Sequence, residues 1–72
     1  MSNFTDRIQL LKINKKLLQK EIAKAVGISV RTYQRYETGE RTPDTDTLIK
    51  LADYFDVSTD YLLGRTDDPK RY

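Results

Sequence analysis

The chain has 72 residues, 13 Lys and Arg against 11 Asp and Glu for a formal charge of +2, and neither Cys nor His. That length holds one domain, and without Cys or His there is no disulfide, thiol nucleophile, thiolate zinc site or imidazole acid–base chemistry. No run approaches the roughly 20 apolar residues of a membrane span, and MSNFTDR lacks a signal-peptide apolar stretch, so a cytoplasmic protein with no membrane role is expected.

Apolar residues recur at helical spacing and no run alternates as a strand does, which predicts an all-α chain. The first helix opens at Asn3, a good N-cap, with Asp6 favouring the helix start; Phe4, Ile8, Leu11 and Leu10 form its apolar face, and it fades near Asn14. A second helix, Gln19 to Val26, buries Ile22, Ala23 and Val26 and stops at Gly27, where a left-handed residue ends it. Ser29 is the N-cap of a third helix, which carries Tyr33 and Tyr36 inward and ends at Thr38-Gly39. Thr38 to Asp44 reads as a loop. Asp44 or Thr45 starts a fourth helix with Leu48, Leu51, Ala52 and Phe55 inside, and Ser58 caps a short fifth helix through Leu62 and Leu63, closed by Gly64. The polar tail, residues 65–72, is expected to fray, leaving a five-helix domain over 3–64.

The second and third helices are separated by so short a turn that they must cross steeply, as in a helix-turn-helix. Ala23 permits the close crossing, Gly27 the positive φ, Ile28 and Val26 cover the turn, and Tyr33 and Tyr36 pin the third helix to the core. At 100° per residue, Arg31 and Arg35 then point away from the tyrosines, with Gln34 on the flank and Val30 at the exposed first turn. Like charges four apart do not help a helix, but they suit an anion or a guanine edge; Gln suits adenine, and Val a thymine methyl. The alternative is a solvated face.

Charge is distributed unevenly. Residues 1–42 hold nine Lys or Arg and four Asp or Glu, residues 43–72 four and seven, which suggests a basic face able to release phosphate counterions, or else an ordinary solvated surface. Gln19, Ser29 and Thr32 lie near helix N-termini, where unpaired amides favour phosphate. Thr38, Gly39 and Arg41 form a second candidate phosphate clamp, while Lys20 and Lys24 are either an extension of the basic track or solvated.

The run from Arg7 to Gly64 resembles the helix-turn-helix domain of the Cro and phage-repressor class, also named for xenobiotic-response-element regulators. The resemblance rests on Arg7-Ile8, Gln19 with Ile22-Ala23, Gly27-Ile28-Ser29, Tyr36-Glu37-Thr38-Gly39, Pro43 and Tyr61-Leu62-Leu63-Gly64. It implies a five-helix domain, a double-stranded DNA operator as partner, and a homodimer acting as a transcriptional repressor, with no cofactor and no small-molecule ligand. Carried over, it implies base or flanking phosphate contacts for Val30, Arg31, Thr32 and Arg35, phosphate contacts for Gln19, Thr38 and Arg41, and an ion pair between Glu37 and Lys12. Lys in place of the usual Arg there implies a weaker pair. The class commonly has Gly at Lys16 and Thr at Leu18, so the start of the second helix loses a capping hydroxyl. A dimer surface is expected around Tyr61 and Leu62, although Leu62 equally suits the core. An antitoxin-like interaction module that also binds DNA is the alternative, for which the short tail offers little. Asp44, Asp46, Asp53, Asp56 and Asp60 have no base, nucleophile or metal cluster beside them, which points away from an enzyme.

Overall fold

Four short polar side chains begin four helices, and each does so in the same way. In the computed structural model, which describes residues 3–70, the helices are α1 (Phe4–Asn14), α2 (Gln19–Val26), α3 (Val30–Thr38), α4 (Thr45–Phe55) and α5 (Thr59–Leu62). The side chains of Asn3, Ser29, Asp44 and Ser58 accept hydrogen bonds from the backbone N–H of Asp6, Thr32, Thr47 and Tyr61, satisfying donors that the first helical turn leaves orphaned. The Asp44 carboxyl is held below its usual range by the Thr47 N–H it accepts from. No strand occurs among the described residues, and the all-α, five-helix architecture expected from the sequence is the one observed.

The α2 start is the exception. Leu18 has no acceptor in its side chain, and the Glu21 carboxylate compensates in part by reaching back to the Leu18 N–H at 3.0 Å. Just before it, Lys16 sits at φ 55°, the left-handed region that favours glycine. The chain therefore departs from the usual Gly and Thr at the two positions where backbone geometry asks for them.

One core joins all five helices. Ile8, Leu11, Ile22, Ala23, Val26, Tyr33, Tyr36, Leu51, Ala52, Phe55, Val57 and Leu62 are buried, with Phe4, Leu17, Ile28, Leu48 and Tyr61 packed around them. Gly27 ends α2 at φ 76°, and Ile28 N–H closes the turn on Ala23 O at 3.0 Å. Nothing lies within 4 Å of where a Gly27 Cβ would stand, so φ alone makes glycine the fitting residue.

Several expectations are corrected. Leu10 is 47% exposed and leaves the α1 face to Ile8, Leu11 and, unexpectedly, Arg7. Leu63 is an exposed cap residue beyond α5. Leu62 is wholly buried, which removes it from any dimer surface. The described part of the tail makes contacts with the domain. Asp67 accepts from Arg7 Nη2 at 2.7 Å, the Pro69 carbonyl accepts from the Ser58 N–H at 3.1 Å, and the Asp60 carbonyl accepts from the Arg65 N–H at 2.9 Å. Arg7 also stacks over the Tyr61 ring, 4.1 Å from its centroid, so a guanidinium rather than an aliphatic side chain fills the α1–α5 seam. Residues 71 and 72 of the expected tail lie outside the described residues.

Restoring the two local preferences is expected to raise stability. Lys16→Gly relieves a left-handed strain of about 1 kcal/mol, less the extra freedom glycine gives the unfolded chain. Leu18→Thr supplies the missing cap for about 1 kcal/mol. Urea unfolding of each variant measures the gain, and a midpoint no higher than the parent's contradicts the assignment.

Candidate nucleic-acid interface

The outer face of α3 is set by what fixes its inner face. Tyr33 and Tyr36 are 0% and 3% exposed, and Phe4 meets the Tyr36 ring edge-on at 6.3 Å between centroids. Polar side chains of α1 hold the far end of α3. Thr5 Oγ1 donates to Tyr36 O at 3.5 Å, Gln9 Nε2 to Glu37 O at 2.6 Å, and Lys12 Nζ to Glu37 Oε1 at 3.0 Å. These three residues lie four and three apart on α1 and so share one stripe; Thr5 and Gln9 face carbonyls that a helix C-terminus leaves unpaired, and Lys12 faces the Glu37 carboxylate.

Glu37 is the hub. Its carboxylate is 8% exposed, and Oε1 accepts from both Lys12 Nζ and Gln19 Nε2, at 3.0 and 3.1 Å. The Lys12–Glu37 pair carried over from the resemblance is present, and as a single Nζ contact rather than a bidentate fork. The Tyr33 hydroxyl neighbours this carboxylate, and Tyr33 OH and Glu37 Oε2 are both buried with no other partner. Burial, and then the adjacent Glu37 carboxylate as hydrogen-bond acceptor and as charge, push the Tyr33 phenol far above its ordinary pKa and keep it neutral.

Around this support the sequence-derived candidates fall into two groups. Val30, Arg31 and Gln34 are exposed and Arg35 is half-buried, all on the face of α3 away from the tyrosines. Neither Arg31 nor Arg35 has an ion pair with any described carboxylate. With Gln34, Thr38 and Glu40 they line an open depression of about 300 Å³. Two unpaired guanidinium groups and an amide in one concave patch can bind an anion or a base edge. Glu40 adds a carboxylate to the same patch.

The second group is engaged internally. Ser29 Oγ caps α3 and donates to Thr32 Oγ1 at 2.9 Å. Gln19 is half-buried, bonded to Glu37 on one side and to Gln34 on the other. The Thr38 hydroxyl stands 3.1 Å from Arg35 O and 3.2 Å from Glu40 Oε1, both acceptors. Gly39 ends α3 at φ 81°, and exposed Arg41 is tied back by its own N–H to Arg35 O at 3.3 Å. Exposed Lys20 and Lys24 lie on α2.

Residues 8–62 match the helix-turn-helix family. The chain belongs to that family, in its Cro and phage-repressor branch. It is 39% identical over 66 residues to the uncharacterized HTH-type transcriptional regulator YobD of Bacillus subtilis (strain 168), an alignment covering 92% of this chain and 59% of the relative. It is 47% identical over 53 residues to the HTH-type transcriptional regulator ImmR of the same organism, covering 74% and 42%. The crystal structure of the P22 c2 repressor protein in complex with synthetic operator 9T superposes with a TM-score of 0.83 at 28% identity, over 88% of this chain and 96% of that one. The chain thus spans between 42% and 59% of the length of the curated relatives it matches first.

The hub makes a direct expectation. Lys12→Met leaves the Glu37 carboxylate buried with one donor fewer and costs about 1–3 kcal/mol of stability. Lys12→Met combined with Glu37→Gln recovers part of that loss. Chemical denaturation of the three variants measures it, and additive losses in the double variant contradict a coupled pair.

Proposed function

We propose that this chain is the DNA-binding part of a transcriptional regulator, a repressor that seats α3 in the major groove of a double-stranded DNA operator and acts in the cytoplasm as a homodimer. The observation that carries it is the pair Arg31 and Arg35, without an ion-pair partner among the described residues, on the outer face of a helix whose inner face is locked by Tyr33, Tyr36 and Glu37. The family and the likeness to a repressor solved on its operator support it.

In this reading Arg31 and Arg35 pair with guanine edges or adjacent phosphates, Val30 meets a thymine methyl, and Gln34 and the Thr32 hydroxyl face bases on the flank. The backbone N–H groups at the α3 start, behind Ser29, face phosphates, with the Gln19, Thr38 and Arg41 side chains and the turn at Gly39 beside them. A helix of nine residues reaches only a few base pairs, so two copies on half-sites about one helical turn, roughly 34 Å, apart supply the affinity. The DNA-binding unit is residues 3–64, with 65–72 as a polar tail.

Selection of bound sequences from random duplexes tests this. Wild type is expected to recover a two-fold symmetric site, and Arg31→Ala or Arg35→Ala to lose about 1–3 kcal/mol of discrimination at particular base pairs while unfolding like the parent. Tyr33→Ala, which empties a core site, costs about 3–5 kcal/mol of stability. Equal affinity of wild type and the Arg31→Ala, Arg35→Ala double variant for the selected site refutes the placement of α3.

A further inference from the structure

A continuous line of hydrogen bonds runs from the interior to the exposed face of α3. Lys12 Nζ and Gln19 Nε2 donate to Glu37 Oε1, and Gln34 Nε2 donates to Gln19 Oε1 at 3.1 Å. A glutamine amide can turn over and exchange its oxygen and nitrogen, but an ionised carboxylate only accepts. Glu37 therefore requires Gln19 to face inward with Nε2 and outward with Oε1. That oxygen in turn requires Gln34 to present Nε2 to it. The polarity of an exposed amide is thus decided by a carboxylate that is 8% exposed.

We propose that Gln34 reads adenine and that Gln19 and Glu37 are positioning residues for it, an inference that rests on the seating of α3 in the major groove. Bonded to Gln19, Gln34 keeps its Oε1 as acceptor and its second N–H as donor. Adenine offers a matching pair, the N6 amino donor and the N7 acceptor, whereas guanine offers O6 and N7, both acceptors. With its oxygen held, Gln34 meets guanine O6 with like partial charge and cannot turn over to avoid it without breaking the bond to Gln19. A glutamine with no such anchor pays no comparable penalty. Gln19 is in this way more than a phosphate ligand at a helix start: its amide transmits the orientation that Glu37 sets. The remaining hydrogen of Gln19 Nε2 stays available for a phosphate, so the two roles are compatible.

Base preference measured one position at a time tests the inference. Duplexes selected by wild type from a random pool are varied singly and titrated with wild type, Gln34→Ala, Gln19→Met and the double variant, each first checked by thermal unfolding. Wild type is expected to favour adenine over guanine about 10-fold at one position of each half-site. Gln34→Ala levels that position. Gln19→Met erodes the preference at the same position, and the double variant goes no further than Gln34→Ala. Gln34→Glu, an exposed substitution that leaves only acceptors, moves the preference there from adenine to cytosine, whose N4 amino group donates; this variant decides the matter if Gln19→Met does not fold. Uniform weakening by Gln19→Met with the adenine preference intact overturns the positioning role. Unchanged preferences at every position in Gln34→Ala overturn the reading of adenine. If wild type enriches no site from the pool, the major-groove reading itself fails and this inference falls with it, an outcome distinct from the other two because no preferred position exists to be lost.

Discussion

The Glu37 carboxylate, buried where three helices meet, is the constraint around which the outer face of α3 is organised. One of its oxygens draws in Lys12 from α1 and Gln19 from α2, while its backbone carbonyl takes Gln9. A buried charge is tolerated only when paired and hydrogen-bonded, so the sequence must place donors on both neighbouring helices at once. Those donors fix the angle and depth of α3 relative to α1 and α2. The apolar contacts of Tyr33 and Tyr36 supply the burial, and Glu37 supplies the register.

The consequence appears on the opposite side of the same helix. Because α3 cannot rotate without breaking the Glu37 contacts or exposing two tyrosines, Val30, Arg31, Gln34 and Arg35 are presented in a fixed order along its outward face. Rigid presentation matters more than net charge here, since the whole chain is only +2 and Glu40 stands among the arginines. Affinity for phosphates follows from cations in general, whereas discrimination between base pairs needs donors and acceptors held in place. In the proposed reading, a nine-residue helix clamped at its inner face serves the second requirement.

Much of the architecture was legible because it is local. Asn3, Ser29, Asp44 and Ser58 announce helix starts through a bond to a residue three places on, and Gly27 announces a stop through its φ; neither signal requires knowledge of the fold. The core followed from 3.6-residue periodicity, with a fault at Leu10, which sits only 100° from Leu11 and so straddles the boundary of the apolar face. Polar burial was not legible. Arg7 reads as surface by residue type, yet it fills the seam beside Tyr61 and binds Asp67 sixty residues on. The Lys12–Glu37 pair came through family resemblance, and the Gln19–Gln34 link through neither route, because its partners come from separate helices and carry no periodic signal. The tail's contacts were hidden for the same reason: a polar composition carries no sign that the Asp67 carboxylate meets Arg7 or that the Pro69 carbonyl meets Ser58.

Guanine N7 methylation interference on the selected duplex reports on the seating of α3, since N7 lies in the major groove and is contacted together with O6 by a guanidinium fork. The expected result is that methylation of one or two particular guanines per half-site blocks wild-type binding, and that Arg31→Ala and Arg35→Ala each become indifferent to a different one of them. Binding that tolerates N7 methylation at every guanine of the site contradicts a recognition face built on α3.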